Sequence, residues 1–228
     1  MKILIVAATR MEVKLLVDEF KFIEEKSCLY KKYEFAGTEI DTLIAGIGTT
    51  FTTFHLTGVL KDNNYDLVIN AGIAGSLTRE LEIGEVVNVI SEEFADLGIE
   101  KTDEFLTLFE SGFMRSNEYP FEQGVLKATN NNELFDLKKV RGITTNKSHG
   151  RESSIAEIHQ KYSAHVESME GAAVFYVCNW LGVSCCQIRA ISNFVEPRDF
   201  SKWDIPLALE NLKDSILSVL RKLTVTVN

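Results

Sequence analysis

Short apolar segments alternate with segments of helical spacing along this 228-residue chain, and this alternation constrains the fold more than any other feature. Residues 2–8 are a β-branched run without polar alternation, which is typical of a strand buried on both faces. In residues 11–20 the apolar side chains recur with the spacing of one helix face. Strands that alternate with helices predict an α/β domain around a mostly parallel or mixed sheet.

The same patterns predict the other elements. We expect one domain over residues 1–228, because no repeat, low-complexity tract or linker rich in Pro, Gly or Ser divides the chain. The other predicted strands are 33–36, 40–45, 66–70, 85–91, 139–144 and 183–191. The other predicted helices are 49–61, 151–161, 170–181 and 203–222. Residues 98–123 are predicted to be a loop or short helices.

Composition and charge exclude several classes of partner. The formal charge of −9 predicts repulsion from nucleic acid and anionic lipid, so we expect neither as a partner. No segment approaches the ~18–20 apolar residues that span a bilayer. The four cysteines form no C-x-x-C pair and the four histidines are dispersed. We therefore expect reduced thiols in a cytoplasmic protein that holds no metal and no cofactor.

Candidate site residues follow the predicted strands, where ligands bind at the carboxyl edge of an α/β sheet. Glu12 begins the first helix, where it either complements the helix dipole or acts as a general base in a cleft. Gly48 ends a Gly-Ile-Gly segment, which is either a tight turn or a loop that lets a ligand approach the backbone. Ile73 and Ala74 belong to a run of mostly small residues, 70–75, that would leave similar room.

The most informative segments are 167–173 and 189–193, which place acidic residues at the start of an apolar helix and a carboxamide just past an apolar strand. Glu170 is either a plain helix N-terminal carboxylate or a group that accepts two hydrogen bonds from a vicinal diol. Met169 offers an adaptable apolar surface beside a sugar. Asn193 is either an ordinary turn residue or a carboxamide that binds a purine.

The order and spacing of these motifs resemble the nucleoside phosphorylase/nucleosidase superfamily, in the branch of the methylthioadenosine/S-adenosylhomocysteine nucleosidases. The resemblance covers nearly the whole chain and is strongest at residues 11–12, 46–48, 70–75, 166–173 and 189–193. It implies a three-layer α/β/α sandwich around a twisted mixed sheet, a small-molecule nucleoside as substrate, and a homodimer or higher homo-oligomer. It also implies that Glu12 activates the attacking water while Met169 and Glu170 hold the ribose.

Asn193, with Ser192 before it, departs from the adenine-specific members, which carry an aspartate at this place. An aspartic acid with a raised pKa can donate a proton to N7 of adenine, but asparagine cannot. A carboxamide can instead accept a hydrogen bond from N7–H and donate one to O6, whereas a 6-amino group would set donor against donor. An unpaired buried polar group costs ~1–3 kcal/mol, so we expect a preference for 6-oxopurines such as hypoxanthine.

Residues 192–199, followed by Trp203, resemble the futalosine hydrolases within this superfamily. That resemblance implies release of hypoxanthine from futalosine, which leaves dehypoxanthine futalosine, in a menaquinone pathway. The carboxyphenyl tail of futalosine requires an apolar pocket and would suit a cation. Arg198 is therefore a candidate contact to the substrate carboxylate; the competing interpretation is an exposed Arg198–Asp199 pair of little energetic value.

The identity of the attacking group stays open between water and phosphate. The phosphorylases of the superfamily supply an Arg and a Ser after the central strand, where this chain has Asn70 and Ile73, so water is favoured. Arg10 and Arg79 lie nearby in sequence and keep phosphate as a candidate. The motifs are also compatible with a nucleosidase or phosphorylase for inosine, guanosine or methylthioadenosine-type nucleosides, and with a nucleoside-binding protein that has no catalytic activity.

Overall fold

The computed structural model describes residues 1–129 and 136–225. The strands are β1 (Lys2–Ala7), β2 (Lys21–Ser27), β3 (Tyr30–Phe35), β4 (Thr38–Ile44), β5 (Leu67–Ser76), β6 (Val86–Phe94), β7 (Gly98–Glu100), β8 (Phe105–Thr107), β9 (Leu126–Lys127), β10 (Lys138–Thr144), β11 (Val166–Ser168) and β12 (Cys185–Phe194). The helices are α1 (Arg10–Val17), α2 (Thr49–Asp62), α3 (Glu152–Lys161), α4 (Gly171–Leu181) and α5 (Ile205–Val225), with a short 3-10 helix at Phe200–Lys202.

The side chains of β1 show how the layers are arranged. Ile3 and Ile5 pack into the core beneath α1 and α5, whereas Leu4 and Val6 pack into the core beneath α2 and α4. Successive strand residues point to opposite faces, and all four of these side chains are at most 1% exposed. The predicted strand buried on both faces is therefore confirmed, and so is the three-layer α/β/α sandwich.

The main sheet is mixed, as expected. Its strand order is β11-β10-β6-β12-β5-β1-β4-β3-β2, with β9 paired to β6. Strands β4, β1, β5 and β12 run parallel to one another, whereas β6 is antiparallel to β12. Because β11 pairs with both β10 and β5, the strands β5, β12, β6, β10 and β11 form a closed ring. The carboxyl ends of the four parallel strands share one edge, and the candidate site residues converge there.

Two predicted boundaries near this edge are wrong. The sequence predicts that β5 ends at residue 70, but the strand continues to Ser76 because it pairs with β12 and β11 on its two sides. Similarly, β12 continues to Phe194, so Asn193 lies in the strand and not past its end. The pairing of β12 with β5 shifts between Ile191 and Asn193, and such an irregularity redirects the side chains that follow it.

Two features bear on the expectations from composition. Among the described residues, no helix combines the length and the apolar character that a membrane crossing requires. All four cysteines are free thiols, and Cys178, Cys185 and Cys186 are buried whereas Cys28 is exposed.

Candidate active site

A cavity of about 320 Å³ lies at the carboxyl edge of the parallel strands. Small-molecule sites typically enclose about 300–1,000 Å³, so this cavity is of suitable size. It brings together seven of the nine candidate residues, which come from distant segments of the chain. The candidates on its lining are Glu12, Ile73, Ala74, Met169, Glu170, Ser192 and Asn193. The remaining two candidates, Gly48 and Arg198, lie beside it.

Glu12 is held in place by hydrogen bonds from two separate segments. Its Oε2 accepts from the backbone N–H of Thr9 at 2.8 Å and from the Thr9 hydroxyl at 3.1 Å. Its Oε1 accepts from the backbone N–H of Ile73 at 3.2 Å. The side chain therefore stabilises the start of α1 and also lines the cavity, so the two interpretations of Glu12 are compatible. Oε2 already accepts two bonds, but Oε1 has a second lone pair, so a water molecule can still bind there.

Glu170 lies at the start of α4 and is 6% exposed. Its Oε1 accepts from the backbone N–H of Gly48 at 3.0 Å, and its Oε2 lies 3.7 Å from Nη2 of Arg189. Burial raises the pKa of the Glu170 carboxyl, while Arg189 and the Gly48 N–H act in the opposite direction. Gly48 has φ of +91°, a conformation that favours glycine. The structure thus places Gly48 next to Glu170, and the Gly48 N–H positions the Glu170 carboxylate.

The carboxamide of Asn193 is oriented by its own neighbours in β12. Its Oδ1 accepts from the hydroxyl of Ser192 at 2.8 Å, and its Nδ2 donates to the carbonyl of Phe194 at 2.9 Å. These two bonds determine which end of the amide carries the oxygen. One lone pair and one N–H are left over, so Asn193 can offer an acceptor and a donor side by side. It is 7% exposed and lines the cavity.

Arg189 is a central residue that the sequence did not single out as part of the site. It is fully buried in β12, and none of its guanidinium nitrogens has a hydrogen-bond partner among the described residues. A Cβ on Gly72 would stand 2.1 Å from Nη1 of Arg189 and 2.6 Å from Oε1 of Glu12. The guanidinium therefore lies close to Glu12 across Gly72 and 3.7 Å from Glu170, and the negative charge of the carboxylates offsets the cost of burying the cation.

A buried polar chain supports the first turn of α4. Nε2 of Gln187 donates to Oε1 of Glu92 at 2.7 Å, and the hydroxyl of Thr144 donates to Oε2 of Glu92 at 2.9 Å. The backbone N–H of Ala172 donates to the Thr144 hydroxyl at 2.8 Å. Complete burial raises the pKa of Glu92 to about 7, against the opposing effect of these two side-chain bonds. This chain ties the sheet to the helix start that carries Glu170.

Arg10 and Arg79, the arginines that kept phosphate as a candidate nucleophile, form their contacts outside the cavity. Arg10 donates to the carbonyl of Cys28 at 2.7 Å, and Arg79 pairs with Glu196 at 2.6 Å. Neither side chain lines the cavity. Asn70 is buried and donates its amide N–H to a side chain of β12. Among the described residues, no three metal-binding side chains come together.

Arg198 lies at the rim and not on the cavity lining. Its Nη2 donates to the carbonyls of Ser148 and His149 at 2.8 and 3.0 Å. The guanidinium lies 5.5 Å from the ring centre of Phe200 and 5.6 Å from that of Trp203. The structure thus shows Arg198 anchoring the loop at 148–149, and its predicted contact with a substrate carboxylate stays a prediction.

A buried pair near Asn193 was also missed. The carboxylate of Glu167 accepts from the backbone N–H of His149 at 3.0 Å through Oε1, and its Oε2 contacts Nδ1 of the same residue. Both side chains are 4% exposed. The two residues are 18 positions apart, separated by α3, and they meet because β10 and β11 pair. The four histidines are dispersed along the sequence, and only the fold brings His149 to the carboxylate of Glu167.

Comparisons with known proteins identify the family. Residues 2–221 match the model of the phosphorylase superfamily. The chain is 33% identical over 181 residues to futalosine hydrolase from Streptomyces coelicolor, covering 77% of this chain and 76% of that protein. It is 29% identical over 232 residues to 5'-methylthioadenosine/S-adenosylhomocysteine nucleosidase from Glaesserella parasuis, covering 96% and 98%. The native structure of futalosine hydrolase from Helicobacter pylori matches with a TM-score of 0.80 at 21% identity, covering 96% of this chain and 97% of that chain. The chain therefore belongs to the phosphorylase superfamily.

Proposed function

We propose that this chain hydrolyses the N-glycosidic bond of futalosine, which releases hypoxanthine and leaves dehypoxanthine futalosine. One observation carries the proposal: Glu12, Glu170 and Asn193 line a single cavity, although they come from distant parts of the sequence. Membership of the superfamily and the names of the curated relatives support N-glycosidic hydrolysis of a nucleoside. The carboxamide at Asn193 supports a 6-oxopurine as the leaving base.

The proposed reaction begins with cleavage of the bond between the ribose and the purine. Positive charge develops on the ribose as in other glycoside hydrolyses, and negative charge develops on the departing base. Glu170 accepts hydrogen bonds from the ribose hydroxyls, and Met169 packs beside the sugar. The Arg189 guanidinium next to Glu170 favours the charged carboxylate, which is the form that accepts both bonds.

Water is the proposed nucleophile, with Glu12 as the group that orients and deprotonates it. The Oε1 atom of Glu12 is already fixed by Ile73, so the carboxylate needs little reorganisation when water attacks. Thr9 fixes the other carboxylate oxygen of Glu12, and the Arg189 guanidinium lies on the far side of Gly72. Phosphorolysis would need a cluster of free cations in the cavity. Arg10 and Arg79 instead bond to groups outside it.

The leaving hypoxanthine is proposed to take up a proton from solvent at N7, which balances the proton that water loses to Glu12, and to bind Asn193 through N7–H and O6. Because Ser192 and Phe194 fix the amide, the free acceptor and donor are available without a rotation of the side chain. The carboxyphenyl tail would then lie toward the exposed apolar side chains on the lining. Two of these, Met11 and Ile47, are about half exposed and suit an aromatic ring.

A second candidate function is hydrolysis of methylthioadenosine-type nucleosides. It is favoured by the match to the Glaesserella parasuis nucleosidase, which extends over 96% of this chain. Against it stands Asn193, because a carboxamide cannot supply the proton that departing adenine requires. The two functions differ in the base that is released.

The test is to incubate the purified protein with futalosine, inosine and methylthioadenosine, with and without phosphate, and to identify the liberated base by chromatography. The proposal predicts hypoxanthine from futalosine at the same rate without phosphate. Strict dependence on phosphate, or release of adenine alone, would overturn it. Glu12→Gln should abolish turnover, whereas the control Glu19→Gln, at an exposed residue just after α1, should not.

A further inference from the structure

The buried pair of His149 and Glu167 has no part in the reaction proposed above, yet it lies next to the base-binding end of the cavity. Glu167 lines the main cavity. His149 lines a small adjoining cavity together with Asn193 and Trp203, both of which also line the main one. The imidazole and the Asn193 carboxamide therefore face a common space.

The bonds of Glu167 determine which nitrogen of the imidazole carries the proton. A carboxylate has only lone pairs to offer, so Nδ1 of His149 must donate to it. In the neutral ring Nε2 is then an acceptor. No described residue bonds to Nε2, which is accordingly the ring nitrogen left for a ligand.

Adenine and the 6-oxopurines differ in hydrogen bonding at N1, the ring atom next to C6, as well as at the C6 substituent. A 6-oxopurine carries a proton on N1 and can donate from it, whereas N1 of adenine carries only a lone pair. An acceptor at this position therefore favours hypoxanthine and opposes adenine. Asn193 likewise favours hypoxanthine over adenine through its hydrogen bond to O6. N1 is the next ring atom along the same edge of the base.

We propose that His149, fixed in one tautomer by Glu167, is a second determinant of base specificity and accepts a hydrogen bond from N1–H of a 6-oxopurine through Nε2. The inference rests on the proposed function only in placing the base at Asn193. It makes base selection the joint result of an amide at N7 and O6 and an imidazole at N1.

The sharpest test is Glu167→Gln. The glutamine oxygen can still accept from the backbone N–H of His149, which turns the amide NH₂ toward Nδ1. Nδ1 must then accept, so the proton moves to Nε2 and the acceptor becomes a donor. In serine proteases, replacing the aspartate that hydrogen-bonds the catalytic histidine by asparagine leaves the geometry intact and stabilises the wrong tautomer of the histidine. We expect kcat/KM for futalosine relative to its 6-amino analogue to fall about tenfold or more, and likewise for inosine relative to adenosine.

His149→Leu removes the acceptor without supplying a donor, so it should lower the same ratio by about tenfold. His159→Leu, the same change at an exposed histidine of α3, should leave the ratio unchanged. An equal loss of activity on both bases, with the ratio preserved in both cavity variants, would overturn the assignment. That outcome would mean that the pair is only structural.

Imidazole ¹⁵N spectra of the wild-type protein keep the proposal testable if the variants do not fold. The expected result is a protonated Nδ1 and an unprotonated Nε2 on His149, with the Nε2 resonance shifted by hypoxanthine. A protonated Nε2 in the free protein, or no shift with hypoxanthine, would overturn the proposal. The proposed function fails separately: if inosine is cleaved in preference to adenosine but futalosine is not cleaved, the substrate is wrong while the role of His149 stands.

Discussion

The carboxylate of Glu12 and the guanidinium of Arg189 approach each other across Gly72, where a Cβ would lie 2.6 Å from Oε1 of one and 2.1 Å from Nη1 of the other. The space beside the Gly72 backbone is therefore filled by the two charged groups. Glu12, which is proposed to activate water, therefore lies close to Arg189, the cation beside Glu170. Position 72 is thus the place where a single methyl group would disturb both.

Gly72→Ala should lower kcat/KM on futalosine by at least about a hundredfold, because the new methyl group must displace Glu12, Arg189 or both. Gly58→Ala is the matched control. No atom lies within 4 Å of a Cβ at Gly58, which is in the exposed part of α2. That variant should gain about 0.5–1 kcal/mol in stability and keep full activity. Unchanged activity in Gly72→Ala would contradict the proposed roles of Glu12 and Arg189, the two groups that lie beside Gly72.

Gly48→Ala and Gly37→Ala separate backbone strain from an effect on the site. Both glycines have positive φ, +91° and +79°, so each substitution should cost about 1–3 kcal/mol in the free energy of unfolding. Only Gly48 donates to Glu170, so only Gly48→Ala should also reduce kcat/KM. Urea denaturation and steady-state kinetics on both variants check this. A similar loss of activity in Gly37→Ala, at the exposed β3–β4 turn, would count against a specific role for Gly48.

Asn193→Asp should raise turnover of adenine nucleosides relative to hypoxanthine nucleosides by about tenfold or more. A carboxylic acid in this buried place can protonate departing adenine, and its carboxylate form repels O6. The control is Asn117→Asp on the surface, where the side-chain oxygen that accepts from the backbone N–H of Gln123 is retained. Competition assays with inosine and adenosine give the ratio directly. An unchanged ratio would refute the argument on base recognition.

Glu92 should make the stability of the protein depend on pH around neutrality. Burial raises its pKa from 4.5 to about 7, so the folded state holds this proton more tightly than the unfolded chain does. The resulting stabilisation is fully present below about pH 4.5 and is lost as the pH rises through about 7, at roughly 3 kcal/mol in total. Glu92→Gln should remove this loss. Denaturation curves at several pH values between 5 and 8 should diverge between wild type and variant, and parallel curves would contradict the prediction.

Strong apolar periodicity predicted the α/β sheet, its main strands and all five α-helices, whereas the three layers were implied by the family resemblance. The sequence pattern missed β2, whose side chains are exposed from Lys21 to Ser27 and which forms a strand only through pairing with β3. It also ended β5 too early, because the small residues before Ser76 show no strand pattern and are held by pairing inside the ring. Pairing with distant strands has no local signal, and this explains both errors.

The sequence predicted only in part which residues line the cavity. Glu12, Glu170 and Asn193 lie near strand ends, so their convergence could be expected from the topology of an α/β sheet. Arg189 was visible only as a charge within an apolar strand, and its importance depends on the two carboxylates that the fold brings to it. His149 gained a partner only through the pairing of β10 with β11. A homo-oligomer, a cytoplasmic location and a single domain stay predictions.

Asn193 and Glu12 are proposed to act on the two partners of one glycosidic bond, the purine and the ribose. The decisive measurement is a crystal structure of Glu12→Gln with futalosine bound. We expect the amide of Asn193 to lie within about 3 Å of N7 and O6 of the base. We also expect a water molecule between residue 12 and the anomeric carbon. A base bound away from Asn193, or a residue 12 side chain turned out of the cavity, would contradict this proposal.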